Sequence, residues 1–437
     1  MAKRILFFTS LILSMVCSLA ACQVSDGPVI PDTPEPTQLA QATLLPSETP
    51  TEIPVQGTVS IWHSWDETRL PILLSVLADF QSVYPDVQFD VFYVPSLDLQ
   101  ASFAAASIEG RAPDILIAPG DWGPELYSQG WVADLSSIAP SPLVNSLNPA
   151  AVEGMRYRNS LTGLPVSLEG VVLYHNQRII PISPPTLDDL ISSAKQATTG
   201  DVMGAYFDRS FFFSGGHLEG IGGSLMDEDG MPAFNDQKGL EWIELLRGFE
   251  FAGPTEFFGD QDVEYFKENR AGFIMESTKR RDELKEALGS ANLVIDPWPV
   301  SEAGALSGYL QSEAIYINPR VMQEDKQIAW MIAESLLSPK AQSELAEAGL
   351  IPAATPETFS ANQIVVTDDL VEQAMLAFLG GTAYPGVPEM PFYPPSLDTA
   401  LGSIFNEGIS PEQALQSAED DISAAILSLR SATPVAP

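Results

Sequence analysis

From Gly57 onward, short apolar strands alternate with amphipathic helices, and this alternation limits the chain to a few architectures. Thr58-Val59-Ser60-Ile61-Trp62 reads as a strand and His63-Ser64-Trp65-Asp66-Glu67 as the loop after it. Leu70, Leu73, Leu74, Leu77, Phe80 and Tyr84 then recur at three- and four-residue steps, which marks one face of a helix. Pro71 is compatible with that helix because it falls in the first turn. Val87, Phe89, Val91 and Tyr93 alternate with their neighbours as a second strand. An Ala-rich helix leads to Gly110, and Ile115-Leu116-Ile117-Ala118 is a continuous apolar run of the kind that is buried on both faces. The order strand, helix, strand, helix, strand predicts an α/β fold with parallel pairing.

The pattern resumes downstream. Val171 to Tyr174, Ala271 to Met275, Leu293 to Ile295 and Ala314 to Ile317 read as strands. Gly239 to Phe251, Val263 to Asn269, Ile328 to Leu337, Pro339 to Ala348 and Pro411 to Leu429 read as helices, and Thr186 to Asp189 as a capping box that opens another. A chain of 437 residues with this many units calls for two lobes, each a mostly parallel sheet flanked by helices.

The N-terminus carries a different kind of signal. Lys3-Arg4 precedes an apolar run from Ile5 to Leu19, which ends in Leu19-Ala20-Ala21-Cys22. A basic start, a short apolar stretch and small residues before a cut site describe a secretory signal rather than a membrane span. Leu-Ala-Ala-Cys resembles the lipobox of bacterial lipoproteins. That resemblance implies cleavage after residue 21, lipid on Cys22 and an extracytoplasmic protein anchored to the bacterial cell membrane. Acyl chains contribute about 0.8 kcal/mol per buried methylene, so several anchor stably. An ordinary signal peptide with an incidental cysteine is the competing reading. The stretch from 23 to 56 is rich in Pro, Thr, Glu and Ser and has no aromatic residue, so it is expected to act as a disordered tether. Residues 431–437 are expected to fray.

Composition excludes several classes of function. Cys17 leaves with the signal and Cys22 carries the lipid, so no disulfide or cysteine metal site is expected. Three histidines in the whole chain argue against a His-rich zinc site. Asp227-Glu228-Asp229-Gly230 lacks the remaining positions of a calcium loop and reads as a turn. The net charge of −37 argues against nucleic acid as a partner. No cofactor is expected, and the chain is expected to be a monomer.

In order and content, the segments between Gly57 and Leu429 resemble the extracellular solute-binding proteins of ABC importers, in their maltose-binding-like branch. The resemblance is carried by Val59-Ser60-Ile61-Trp62-His63-Ser64-Trp65, by Ala112-Pro113-Asp114-Ile115 with Gly120-Asp121-Trp122, and by Gly163 to Gly170 with Leu173-Tyr174-His175-Asn176. It continues in Pro184 to Leu190, Phe266 to Met275, Leu337 to Gln342 and Ala348-Gly349-Leu350-Ile351-Pro352. It implies a two-lobe fold of the type II periplasmic-binding class, with crossings near Val166–Glu169, Gly308–Gln311 and Gly349–Pro352. The implied lobes are 57–167 with 310–350 and 168–309 with 351–430. The implied function is capture of a carbohydrate by hinge closure and its delivery to a permease, without catalysis.

A sugar presents apolar ring faces and hydroxyl groups, so a site for it needs flat aromatic rings and planar acceptors. Trp65, Asp66, Asp121 and Trp122 lie in loops that leave the carboxyl ends of strands, where open α/β sheets place ligands. By resemblance, Glu169, Gln311, Phe212 and Tyr393 also face the ligand. The family's stacking tryptophan is absent near Glu276-Ser277-Thr278-Lys279, so Glu276 and Lys279 are candidate polar contacts in its place. Other solutes (a polyol, a glycerol phosphodiester, an amino acid or a peptide), a ligand-sensing role and an extracellular glycosidase are the alternatives.

Overall fold

The computed structural model describes residues 55–321 and 323–432. The signal segment, Cys22, nearly all of the tether and residues 433–437 lie outside the described residues. Ten strands form one sheet: β1 (Gly57–His63), β2 (Val87–Tyr93), β3 (Ile115–Pro119), β4 (Leu164–Asn176), β5 (Met203–Ala205), β6 (Ala271–Ser277), β7 (Leu293–Asp296), β8 (Tyr309–Ile317), β9 (Ile351–Pro352) and β10 (Thr382–Ala383). The main path runs β2-β1-β3-β8-β4-β6-β5, with β7 and β9 also on β4 and β10 on β8.

The predicted parallel pairing holds for β1 with β2 and β3, and for β6 with β5. It gives way in the middle of the sheet, where β8 runs antiparallel to both β3 and β4, and β4 antiparallel to β6. β4 and β8 are the long strands that carry the chain from one apolar core to the other, and they do so in opposite directions. Antiparallel pairing follows from that.

Two apolar clusters make up the interior. One holds Val59, Ile61, Leu73, Phe80 and Ile115 to Ala118, and extends under the crossing strands to Val371 and Phe378. The other holds Val171, Leu173, Phe207, Phe211, Trp242, Tyr309 and Leu397 and extends to Ile426. Successive β4 residues alternate between them, Val171 and Leu173 in one and Val172 and Tyr174 in the other, as the two-residue period of a strand requires.

Helix Leu70–Val83 buries Ile72, Leu73, Val76, Leu77 and Phe80. The predicted stripe is therefore rotated by about one position, and Leu74 is exposed. Half of the capping box at Thr186 is present: its Oγ1 accepts from the Asp189 amide at 3.1 Å and opens helix Leu187–Ala197, while the Asp189 carboxylate accepts from the Thr186 hydroxyl at 2.6 Å rather than from its amide. Asp227 Oδ1 accepts from the amides of Asp229 and Met231, closing a turn at Gly230. The last helix, Pro411–Ala432, runs into the stretch expected to fray.

Helix Phe211–Gly220 has no periodic sequence signal because three phenylalanines and two glycines crowd its first turns. The glycines are there for contact. A Cβ on Gly216 would lie 2.9 Å from the Gly308 carbonyl carbon, and one on Gly215 would lie 2.7 Å from the Tyr309 ring. The helix can rest on the start of β8 only without them.

Candidate ligand-binding site

The register of the two crossing strands builds the floor of the site. Gln311 on β8 stands opposite Glu169 on β4, and Glu313 opposite Ser167. Cross-strand partners share a face, so the amide and two carboxyls project to the same side. Above them, β3 ends at Pro119, and the turn Gly120–Trp122 brings Asp121 and Trp122 over the floor. Lys279 reaches across from the turn after β6, with Nζ 2.6 Å from Glu169 Oε1. Together with Arg69 and Ser312 these groups line a hollow of about 220 Å³.

A second, larger hollow of about 490 Å³ is lined by Phe211, Phe212, Phe213, Asp208, Glu276 and Asp398 among others. Tyr384, just past β10, lines this hollow and also a narrow gap that borders Asp121 and Gln311. Its ring is 6.2 Å from Phe212 and 5.3 Å from Tyr309, centroid to centroid. Burial, with the charges of Asp121 and Asp398 on its two sides, pushes the Tyr384 hydroxyl up to about 12.

The first hollow is rich in acid. Burial raises the Asp121 carboxyl above its ordinary range; its own backbone amide opposes this, Glu169 adds to it and Lys279 offsets part. Burial lifts Glu313 to about 7 against the pull of Arg69 and of the Trp65 indole, whose N–H donates to Oε1 at 3.0 Å. Glu169 and Asp121 add to that rise. Glu313 can therefore donate to a hydroxyl as well as accept from one.

The structure brings together Asp121, Trp122, Glu169, Gln311 and Lys279 around one hollow and Phe212 with Glu276 around the other. It corrects three expectations. Trp65 is only 2% exposed, packed in the first cluster and bonded to Glu313, so it offers no ring face to a ligand. Tyr393 is 0% exposed; it starts helix Tyr393–Gly402 and its hydroxyl donates to the Gly230 carbonyl at 2.9 Å. Asp66 is absent from the lining of both hollows and instead caps the loop, with Oδ1 accepting from the Thr68 and Arg69 amides at 3.1 Å.

Lining residues that the sequence reading did not single out include Arg69, Glu313, Tyr384 and Asp208. One of them left a trace: Glu313 is the one acid inside the largely apolar run Tyr309–Ile317.

Comparison with known proteins agrees with this geometry. The family described as bacterial extracellular solute-binding protein matches residues 64–342. The chain belongs to that family. A maltotriose-binding protein of Pyrococcus abyssi is 24% identical over 241 residues, 53% of this chain. The match spans about half of that relative, 51% of its length. A galactooligosaccharide-binding protein of Bacillus subtilis is 22% identical over 330 residues, covering 71% of this chain and 76% of the relative. In structure, an extracellular solute-binding protein from Staphylococcus aureus in complex with maltose superposes with a TM-score of 0.75 at 19% identity, covering 85% of this chain and 98% of the other. A cyclic α-maltosyl-1,6-maltose binding protein from Arthrobacter globiformis gives 0.72 at 18% identity, covering 84% and 98%. The fold is the two-lobe type II fold of these solute-binding proteins.

Proposed function

We propose that this solute-binding protein captures a carbohydrate between its lobes and hands it to the permease of an ABC importer. The observation that carries the reading is the composition of the two hollows. Half-buried Trp122 stands beside Asp121, Glu169 and Gln311 in one, and Phe212 and Tyr384 line the other. Flat rings next to planar hydrogen-bonding groups suit a molecule with apolar faces and a rim of hydroxyls. The sugars named for the Pyrococcus and Bacillus relatives support the same class. Binding without chemical conversion agrees with a family of binding proteins.

The moving bodies are 57–167 with 310–350 and 168–309 with 351–430, and β4 and β8 flex between them. Cys22 is lipidated and holds the protein on the outer side of the cell membrane. The protein acts as a monomer.

Titration calorimetry with maltotriose tests the site. Trp122→Ala should weaken binding by roughly tenfold, the equivalent of about 1.4 kcal/mol. Asp121→Asn should also cost affinity, because it replaces a charge-capable acceptor by an amide of the same shape. Both apo proteins should melt close to wild type. Variants that bind maltotriose like wild type would remove the ligand from this loop.

A further inference from the structure

Glu313 is an acid on a strand that otherwise feeds the core. Leu310 and Ala314 to Ile317 of β8 all belong to the first apolar cluster, whereas Glu313 stays partly exposed and lines the smaller hollow. One of its oxygens is held: Oε1 accepts from the Trp65 indole N–H at 3.0 Å. Trp65 is itself fixed, by burial in that cluster and by its amide, which donates to His63 Nδ1 at 3.0 Å. Among the described residues no second donor reaches the Glu313 carboxyl, and Oε2 is not sealed from solvent. That oxygen is left for whatever fills the hollow.

Burial already lifts Glu313 to about 7, and the charges around it act on top of burial. From the loop after β1, Arg69 attracts its negative form; from β4 and from the turn after β3, Glu169 and Asp121 repel it. From the turn after β6, Lys279 is engaged 2.6 Å from Glu169. On β8 itself, burial holds the Tyr316 hydroxyl far above its ordinary range, and behind Trp65 burial favours neutral His63. Neither Arg69 nor Lys279 forms an ion pair with Glu313.

Three carboxyls therefore share a hollow of about 220 Å³ with two cations. A neutral sugar that fills it displaces water and brings no counter-charge, which strands one negative charge in a dry site. Neutralising a carboxyl with a proton avoids that cost. Glu169 is kept charged by Lys279, so the proton belongs on Glu313, and a neutral carboxyl has an O–H to donate.

We propose that Glu313 meets the sugar as a neutral acid, donating from Oε2 to a sugar oxygen while Trp65 positions the group through Oε1, so that capture of a carbohydrate takes up a proton. The inference rests on the carbohydrate reading above and adds to it a specificity-determining contact and a dependence on pH.

The test is titration calorimetry of the full chain with maltotriose and with a galactotriose from pH 5 to pH 8. If the protonated form alone binds, affinity should be about tenfold weaker at pH 8 than at pH 6. At pH 8, heats measured in two buffers of different ionisation enthalpy should report close to one proton taken up per sugar. Glu313→Gln keeps an acceptor for the indole and a permanent donor toward the sugar. It should bind at pH 8 about as tightly as wild type does at pH 6, with no proton uptake. Glu219, which burial also lifts to about 7, is common to both proteins and drops out of that comparison. Trp65→Phe keeps a ring in the core and removes the N–H. It should move the midpoint of the pH profile upward, because the charged carboxylate loses its donor, whereas a merely structural change would weaken binding equally at every pH. Equal wild-type affinity at pH 6 and pH 8, proton release on binding, or a Glu313→Gln profile as steep as wild type would overturn the proposal and leave the carbohydrate reading standing. Failure of wild type to bind either sugar at any pH would overturn both.

Discussion

Glu313 sets the electrostatics of the smaller hollow, and its proton is the measurable quantity. Its carboxyl is raised from an ordinary 4.5 to about 7, chiefly by burial. Between those two values the folded protein holds a proton that the unfolded chain has released. Proton binding favours the fold there, so this group's contribution to stability is greatest below about 4.5, falls as pH rises to about 7 and is flat above. Glu313→Gln keeps an acceptor for the Trp65 N–H and has no charge to bury. Urea denaturation should show the variant gaining on wild type from pH 5 to pH 8, by on the order of 1–3 kcal/mol. Glu219, also raised to about 7 by burial, shares that window and cancels in the comparison. A variant-minus-wild-type difference that does not change with pH would refute a raised carboxyl at Glu313.

At the level of elements, the site depends on a loop that touches a loop. Tyr384 lines the larger hollow and the narrow gap at Asp121, and two residues on, Gly386 packs against the Asp121 backbone, where an added Cβ would meet the Asp121 carbonyl oxygen at 2.6 Å. Gly386→Ala should push the two loops apart. Overpacking of this kind costs about 1–3 kcal/mol, and thermal melts should record it together with weaker maltotriose binding. Wild-type melting and affinity would show that the contact is dispensable. Elements like this mark the limit of what the sequence reveals. The strands β1, β2 and β3 and the helix between the first two were legible because local periodicity encodes them. So was the Thr186 cap, whose hydrogen bond spans three residues. Asp121 and Trp122 were legible as candidates because polar and aromatic residues at strand ends need an explanation, and Glu169 through the family resemblance. Helix Phe211–Gly220 was not, since its glycines answer to β8, far away in the chain. The pairing of Gln311 with Glu169 and the burial of Trp65 against Glu313 were hidden for the same reason. Trp65 and Trp122 look alike as loop tryptophans, and only tertiary packing decides that one is core and the other lines the hollow.

The whole molecule combines an N-terminal segment that resembles a lipobox, a net charge of −37 and a cleft floored by two crossing strands. Cys22→Ser tests the first: it should release the protein into the medium or leave the signal uncleaved, and a correctly processed variant that stays on the membrane would refute lipidation there. The cleft gives the sharper test. A ligand shifts an open–closed equilibrium only through its differential affinity for the two states. One hollow is floored by the crossing strands and the other walled by helix Phe211–Gly220, so a ligand that fills both should bind the closed form better than the open one. Saturating ligand should therefore reduce the radius of gyration in small-angle scattering and also raise the melting temperature. At a hundred times the dissociation constant, binding alone adds about 2.7 kcal/mol of stability whether or not the lobes move. Melting therefore reports occupancy and scattering reports closure. A ligand that raises the melting temperature and leaves the scattering profile unchanged would occupy the site without joining the lobes, and β4 and β8 would then be a rigid floor rather than a hinge.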